Sequence, residues 1–252
     1  MHFTAQTSSN GVIERDFTLD DVTGVFWSPA SGSDHAPLVL LGHGGGLHKR
    51  APGLVARAQH LVTTGGYAVA TIDAPGHGDR TRSAQDRRWV AAMLRARAEG
   101  EPIGPIVADY NSALAERAVP EWRMVLDALQ GLPEVGADGG VGYSGMTLAS
   151  AIGLPLTVIE PRITAAIFGG VLVYESLVEA ARRITVPIQF LLPWDDAEID
   201  RQSGLELFDA FGSTEKTLHA NPGGHHQVPW FEAEDSIGFF ARHLGSARLT
   251  LA

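Results

Sequence analysis

The chain has 252 residues, 44% of them apolar, enough for one α/β domain with a complete core and at most a small insertion. Its formal net charge of −10 argues against a nucleic-acid or anionic-membrane surface, and the lack of cysteine excludes disulfides, a thiol nucleophile and thiolate metal ligation. Residues 1–6 carry no basic segment followed by an apolar run, and no stretch is long and apolar enough to span a bilayer. A soluble, cytoplasmic protein is therefore expected.

In chain order, residues 11–19 and 22–28 read as an antiparallel hairpin turning at Asp20-Asp21, with Phe17, Leu19, Val22, Val25 and Trp27 as its apolar positions. The run Pro37-Leu38-Val39-Leu40-Leu41 predicts a buried strand ending in Gly42-His43-Gly44-Gly45-Gly46. Leu54, Val55, Ala58, Leu61 and Val62 follow at helical spacing. Residues 67–73 predict a second strand, which runs into Ala74-Pro75-Gly76-His77-Gly78. After Pro120, the positions Trp122, Val125, Leu126, Leu129 and Leu132 predict an amphipathic helix.

Strands over 140–146, 165–170, 187–193 and 216–221 then alternate with helices over 147–158, 176–183 and 204–211, and a last helix runs to Leu244. Such alternation implies a mainly parallel sheet covered on both faces. Residues 80–119 stand outside it. They predict two helices, one around Trp89, Val90, Met93 and Leu94 and one around Ile106, Val107, Tyr110 and Leu114, with a turn at 101–105. A helical pair placed above the carboxyl edge of the sheet would form a lid over the crevice found there in open parallel sheets. Neither an internal repeat nor a linker divides the chain, so residues 1–252 read as one domain.

The sequence resembles the α/β-hydrolases, closest in character to the bacterial dienelactone-hydrolase and acyl-peptidase-like branches. Five segments carry the resemblance, in the family's order: residues 42–46, 73–78, the turn at Thr147, Trp194-Asp195-Asp196, and Pro222-Gly223-Gly224-His225-His226. The resemblance implies an α/β-hydrolase fold, with an N-terminal antiparallel hairpin and a helical lid, and a site at the strand ends. Activity does not follow from fold alone.

The nucleophile elbow of such proteins is a tight strand-to-helix turn, and the residues two before and two after its centre must be small. Two hydroxyls compete for the centre. Around Thr147 the flanking residues are Gly145 and Ala149, which fit; around Ser144 they are Gly142 and Met146, and Met146 would collide. Thr147 is therefore assigned to the elbow and Ser144 is the runner-up. Threonine is an unusual occupant, because its methyl restricts the rotamer and suits positive φ poorly.

The resemblance places the base on the loop after the last strand, where His225 is preferred over His226. The acid belongs after the strand over 187–193, where Asp196, followed by Ile199, is preferred over Asp195. The acid would accept a hydrogen bond from the imidazole and hold its tautomer. Gly45, in the glycine run, and Leu148, one residue past the elbow, would supply the oxyanion-hole amides. His43, Asp73 and His77 are read as structural, and His48, Lys49 and Arg50 as solvated. No cofactor and no metal are expected, and the glycine run lacks the lysine and serine of a phosphate-binding loop.

The expected function is hydrolysis of a small ester, lactone or thioester by a Thr-His-Asp variant of the Ser-His-Asp triad. The expected partner is a small-molecule substrate. Arg80, Arg82, Arg87, Arg88, Arg95 and Arg97 in the lid would either be solvated or attract an anionic substrate. Two rival readings stand beside hydrolysis: a lyase, isomerase or cyclase that uses only the His-Asp pair for proton transfer, and a silent ligand-binding homologue.

Overall fold

A computed structural model describes residues 1–32, 35–225 and 227–245. The elements run β1 (His2–Ser9), β2 (Val12–Leu19), β3 (Val22–Pro29), β4 (Leu38–Leu41), α1 (Pro52–Gly65), β5 (Ala68–Ile72), α2 (Ala84–Glu99) and α3 (Gly104–Gln130). They continue with β6 (Val141–Ser144), α4 (Leu148–Ile159), β7 (Ile163–Gly169), α5 (Glu175–Arg183), β8 (Ile188–Pro193), α6 (Arg201–Ala210), β9 (Lys216–Asn221) and α7 (Phe231–Leu244). All nine strands form one sheet in the order β1-β2-β3-β5-β4-β6-β7-β8-β9. The pairs from β1 to β5 are antiparallel, and every pair from β5 to β9 is parallel.

The inner parallel strands are short, mainly apolar runs because both their faces are covered. Leu38, Val39, Leu40, Ala68, Val69 and Ala70 are completely buried. One face carries α1 and α7, with Leu61, Val62, Tyr67 and Phe240 between them and the sheet. The other carries the core that joins Trp122, Leu126, Tyr143, Phe168 and Phe190. Since the six parallel strands point the same way, the loops after β4 to β9 meet at one edge.

The structure corrects the sequence reading in two elements. The N-terminal hairpin is a three-stranded meander, because β1 adds to β2 through the Asn10-Gly11 turn, where both residues have positive φ (50° and 78°). β1 is exposed along nearly its whole length and so lacks the alternation that marks a half-buried strand. The expected break at Pro120 is also absent. The second helix of the insertion and the core helix after it are one 27-residue helix, α3. Its buried stripe of Tyr110, Leu114, Ala118, Trp122, Val125 and Leu129 stays in phase through the proline. Pro120 withdraws the donor for the Glu116 carbonyl, and both residues lie on the exposed side where water can replace it.

Candidate active site

At the elbow, Thr147 has φ 56° and ψ −118°, and α4 starts at the next residue. This is a backbone conformation that a β-branched side chain rarely adopts, and it costs of order 1–3 kcal/mol. The strand before it and the helix after it leave no room for larger neighbours. A Cβ on Gly145 would lie 2.5 Å from the Ala149 Cβ, and one on Gly42 would lie 2.6 Å from the same atom. Backbone bonds from the Gly145 N–H to the Ile167 carbonyl (3.0 Å) and from the Thr147 N–H to the Gly169 carbonyl (3.0 Å) continue the β6–β7 register into the turn. Ser144 lies elsewhere. It ends β6 and lines a small cavity beneath α1 and α7 together with Arg57, Glu232 and Ser236.

The Gly45 N–H donates to the Thr147 Oγ1 at 3.3 Å. A Cβ on Gly44 would come within 2.9 Å of that oxygen, so the hydroxyl needs a glycine there. Leu148 is the first residue of α4, and its N–H therefore has no intrahelical acceptor. His43 holds the glycine loop in place. Its Nδ1 lies 2.9 Å from the Gly44 carbonyl, and its Nε2 accepts the Ala74 N–H at 3.0 Å, which requires the neutral ring. Burial pushes its pKa down to about 4.

Asp73 secures the other end of this loop. Its carboxylate accepts the Lys49 N–H (2.8 Å), the Lys49 ammonium (2.5 Å), the Thr23 hydroxyl (3.0 Å) and the Asp79 N–H (3.1 Å). Burial alone would raise the Asp73 pKa, but the Lys49 amide and ammonium hold it below the usual carboxylate range. The surface reading of Lys49 is corrected accordingly, since Lys49 is buried against Asp73; Arg50 is exposed, as expected, and pairs there with Glu14 and Asp16.

On the far side of the edge, His225 Nδ1 lies 2.8 Å from Asp196 Oδ2. A carboxylate only accepts, so Nδ1 carries the proton. Asp196 is itself fixed, because its Oδ1 accepts the Glu198 N–H (2.8 Å) and the Ile199 N–H (3.1 Å). Its side chain is 3% exposed. The vicinal aspartates divide the work, since Asp195 Oδ2 accepts the Gly223 N–H at 3.0 Å and ties down the glycine-rich start of the histidine loop. His226 lies outside the described residues.

Four of the six arginines between residues 80 and 97 are engaged within the protein. Arg80 is bidentate on Glu121 and reaches the Asp73 carbonyl; Arg82 and Arg87 donate to backbone carbonyls. Arg97, at the end of α2, reaches Glu198 in the loop after β8 at 3.2 Å. Arg88 and Arg95 are exposed. Among the described residues, His219, Glu232 and Asp235 are the one group of histidine and carboxylate side chains close enough to share an ion, within 4.8 Å. Both Glu232 oxygens there already accept hydrogen bonds from protein groups. No helix among the described residues is long and apolar enough to cross a membrane.

This sheet order, the strained elbow and the His–Asp pair on successive strand ends define an α/β-hydrolase fold. No protein-family model and no curated protein matches the chain. Among solved structures it is similar to a cold-adapted esterase from an Arctic intertidal metagenomic library in a PEG-bound complex, at 32% identity and TM-score 0.76, over 97% of this chain and 100% of that one. It also superposes on the acetyl xylan esterase from Paenibacillus sp. R4 (14% identity, TM-score 0.72, 96% and 88% of the two chains). Acetyl xylan esterase 1 from Thermoanaerobacterium sp. JW/SL YS485 matches similarly (11%, 0.71, 96% and 87%). These two show the fold alone. The chain belongs to the α/β-hydrolase family of the Arctic esterase.

Proposed function

We propose that this protein hydrolyses small esters, lactones or thioesters through a covalent acyl-Thr147 intermediate. The observation that carries the reading is the conformation of Thr147, with the Gly45 amide directed at its hydroxyl. Strain at one residue persists where surrounding structure enforces it, and here it presents an oxygen at the mouth of the sheet.

In the first half-reaction, His225 Nε2 takes the Thr147 hydroxyl proton while Oγ1 attacks the acyl carbon. The carbonyl electron pair moves onto oxygen, and the resulting oxyanion accepts the N–H groups of Gly45 and Leu148. The positive end of α4 adds to this field. Collapse of the intermediate breaks the bond to the leaving group, which receives the proton from His225. Water then repeats the sequence on the acyl-threonine, with His225 as base, and returns the free hydroxyl. Asp196 stabilises the imidazolium formed in each half.

The esterase relative supports ester hydrolysis, and the threonine chemistry is tested on chromogenic short-chain esters. Thr147→Ala and Thr147→Val should each lower kcat by at least about 1,000-fold, as removal of a nucleophile does. Thr147→Ser should retain activity. Undiminished hydrolysis by the alanine or valine variant contradicts the reading.

A further inference from the structure

Behind the acid and the base lies a second histidine–carboxylate contact that the proposed mechanism does not use. Glu232 stands in the first turn of α7 with its side chain 2% exposed. Its Oε1 accepts the Asn221 amide N–H at 2.6 Å. Its Oε2 lies 2.8 Å from His219 Nδ1 and accepts the Gln189 amide at 3.3 Å. Arg57 borders the same cavity and brings a positive charge toward this carboxylate.

The location of these bonds in the chain gives them a consequence. Asn221 is the last residue of β9, and Glu232 is the second residue of α7. Residues 222–230, which carry His225, are the segment between them. That segment begins Pro222-Gly223-Gly224, with Gly223 at φ 115°, so it has little intrinsic stiffness. Its start is held from the β8 side by the Trp194 N–H on the Asn221 carbonyl (2.7 Å) and by Asp195 on the Gly223 N–H. Its two ends are joined by the Asn221–Glu232 bond, while His219 and Gln189 fix the carboxylate against β9 and β8.

We propose that Glu232 is a positioning residue for His225: by clamping the ends of the loop, it sets where the imidazole stands relative to Asp196 and Thr147. The proposal rests on the reading of His225 as the base. Displacing a catalytic group by about 1 Å costs about 100-fold in rate. Losing the clamp should therefore reduce kcat and leave KM nearly unchanged.

The test compares His225→Ala, Glu232→Ala, Glu232→Gln and Asn221→Ala with the unmodified protein, on a chromogenic ester, with thermal midpoints measured alongside. His225→Ala establishes the base by abolishing hydrolysis. Glu232→Ala should then lower kcat by about 100-fold with KM within about twofold. Glu232→Gln should recover most of that loss, because its amide oxygen can still accept from Asn221 while His219 and Gln189 change tautomer and flip. Asn221→Ala should shift kcat in the same direction, by about tenfold, since it removes the bond between the loop ends but leaves Glu232 held against β9 and β8 by His219 and Gln189. If Glu232→Ala does not fold, Asn221→Ala decides. A folded alanine variant with unmodified kcat, or one that loses only thermal stability, overturns the clamp and leaves the base in place. An active His225→Ala variant overturns the base and the clamp with it.

Discussion

Thr147 and His43 are the two residues at which side-chain chemistry and backbone geometry constrain each other most closely. Thr147 has a hydroxyl, as serine would, but carries a methyl that serine lacks, at a positive φ where branching at Cβ is unfavourable. Thr147→Ser should therefore raise both the thermal midpoint and the esterase kcat, measured by calorimetry and by initial rates. His43 predicts a pH dependence of stability. Its pKa falls from 6.5 unfolded to about 4 folded, so the unfolded chain binds the extra proton between those values. The contribution is complete above about pH 6.5 and is lost as the pH falls toward 4, by roughly 3 kcal/mol in all. Denaturant titrations across that range should show the slope, and His43→Asn should flatten it; an unchanged slope assigns the loss to other groups.

The elbow and the α2–α3 pair show what whole elements add. At the elbow, the rule that Gly145 and Ala149 must be small was readable from the sequence because it is a matter of volume alone. Gly145→Ala would force two Cβ atoms to 2.5 Å and should cost about 1–3 kcal/mol, seen as a lower denaturation midpoint. In the α2–α3 pair, Ser83 and Asp86 form a reciprocal cap on α2, and Asp86 also binds Arg117 of α3 at 2.6 Å. Removing both functions in Asp86→Ala should cost about 2 kcal/mol and should raise amide exchange in α2 before α3. Equal protection of the two helices in that variant would contradict this account of α2. Pro120 was misread because helix breaking is a local rule. The continuous stripe from Tyr110 to Leu129 outweighs it, and that stripe was visible in the sequence on both sides of the proline.

Across the whole molecule, six parallel strands deliver their loops to one edge, which is why separate short motifs could be joined into one site. β4, β5 and β7 are largely buried apolar runs that end at glycine or aspartate, so the order of the motifs was legible. β1 was not, because a strand exposed along nearly its whole length has no pattern, although its Asn-Gly turn was a usable signal. The Glu232 clamp was missed for a different reason. A glutamate in a first helical turn is ordinary, and only its contact with His219 and Asn221 across β9 distinguishes it. Polar residues at 217, 219 and 221, alternating with apolar ones, were the sequence trace of a wet face turned toward α7. Rapid quenching of the protein with a slowly hydrolysed chromogenic ester, followed by peptide mass mapping, should find the acyl mass on the peptide containing Thr147 and not in Thr147→Ala. An adduct on Ser144, or turnover in the unmodified protein with no adduct under conditions where acylation outpaces release, would contradict the proposed acyl-Thr147 intermediate.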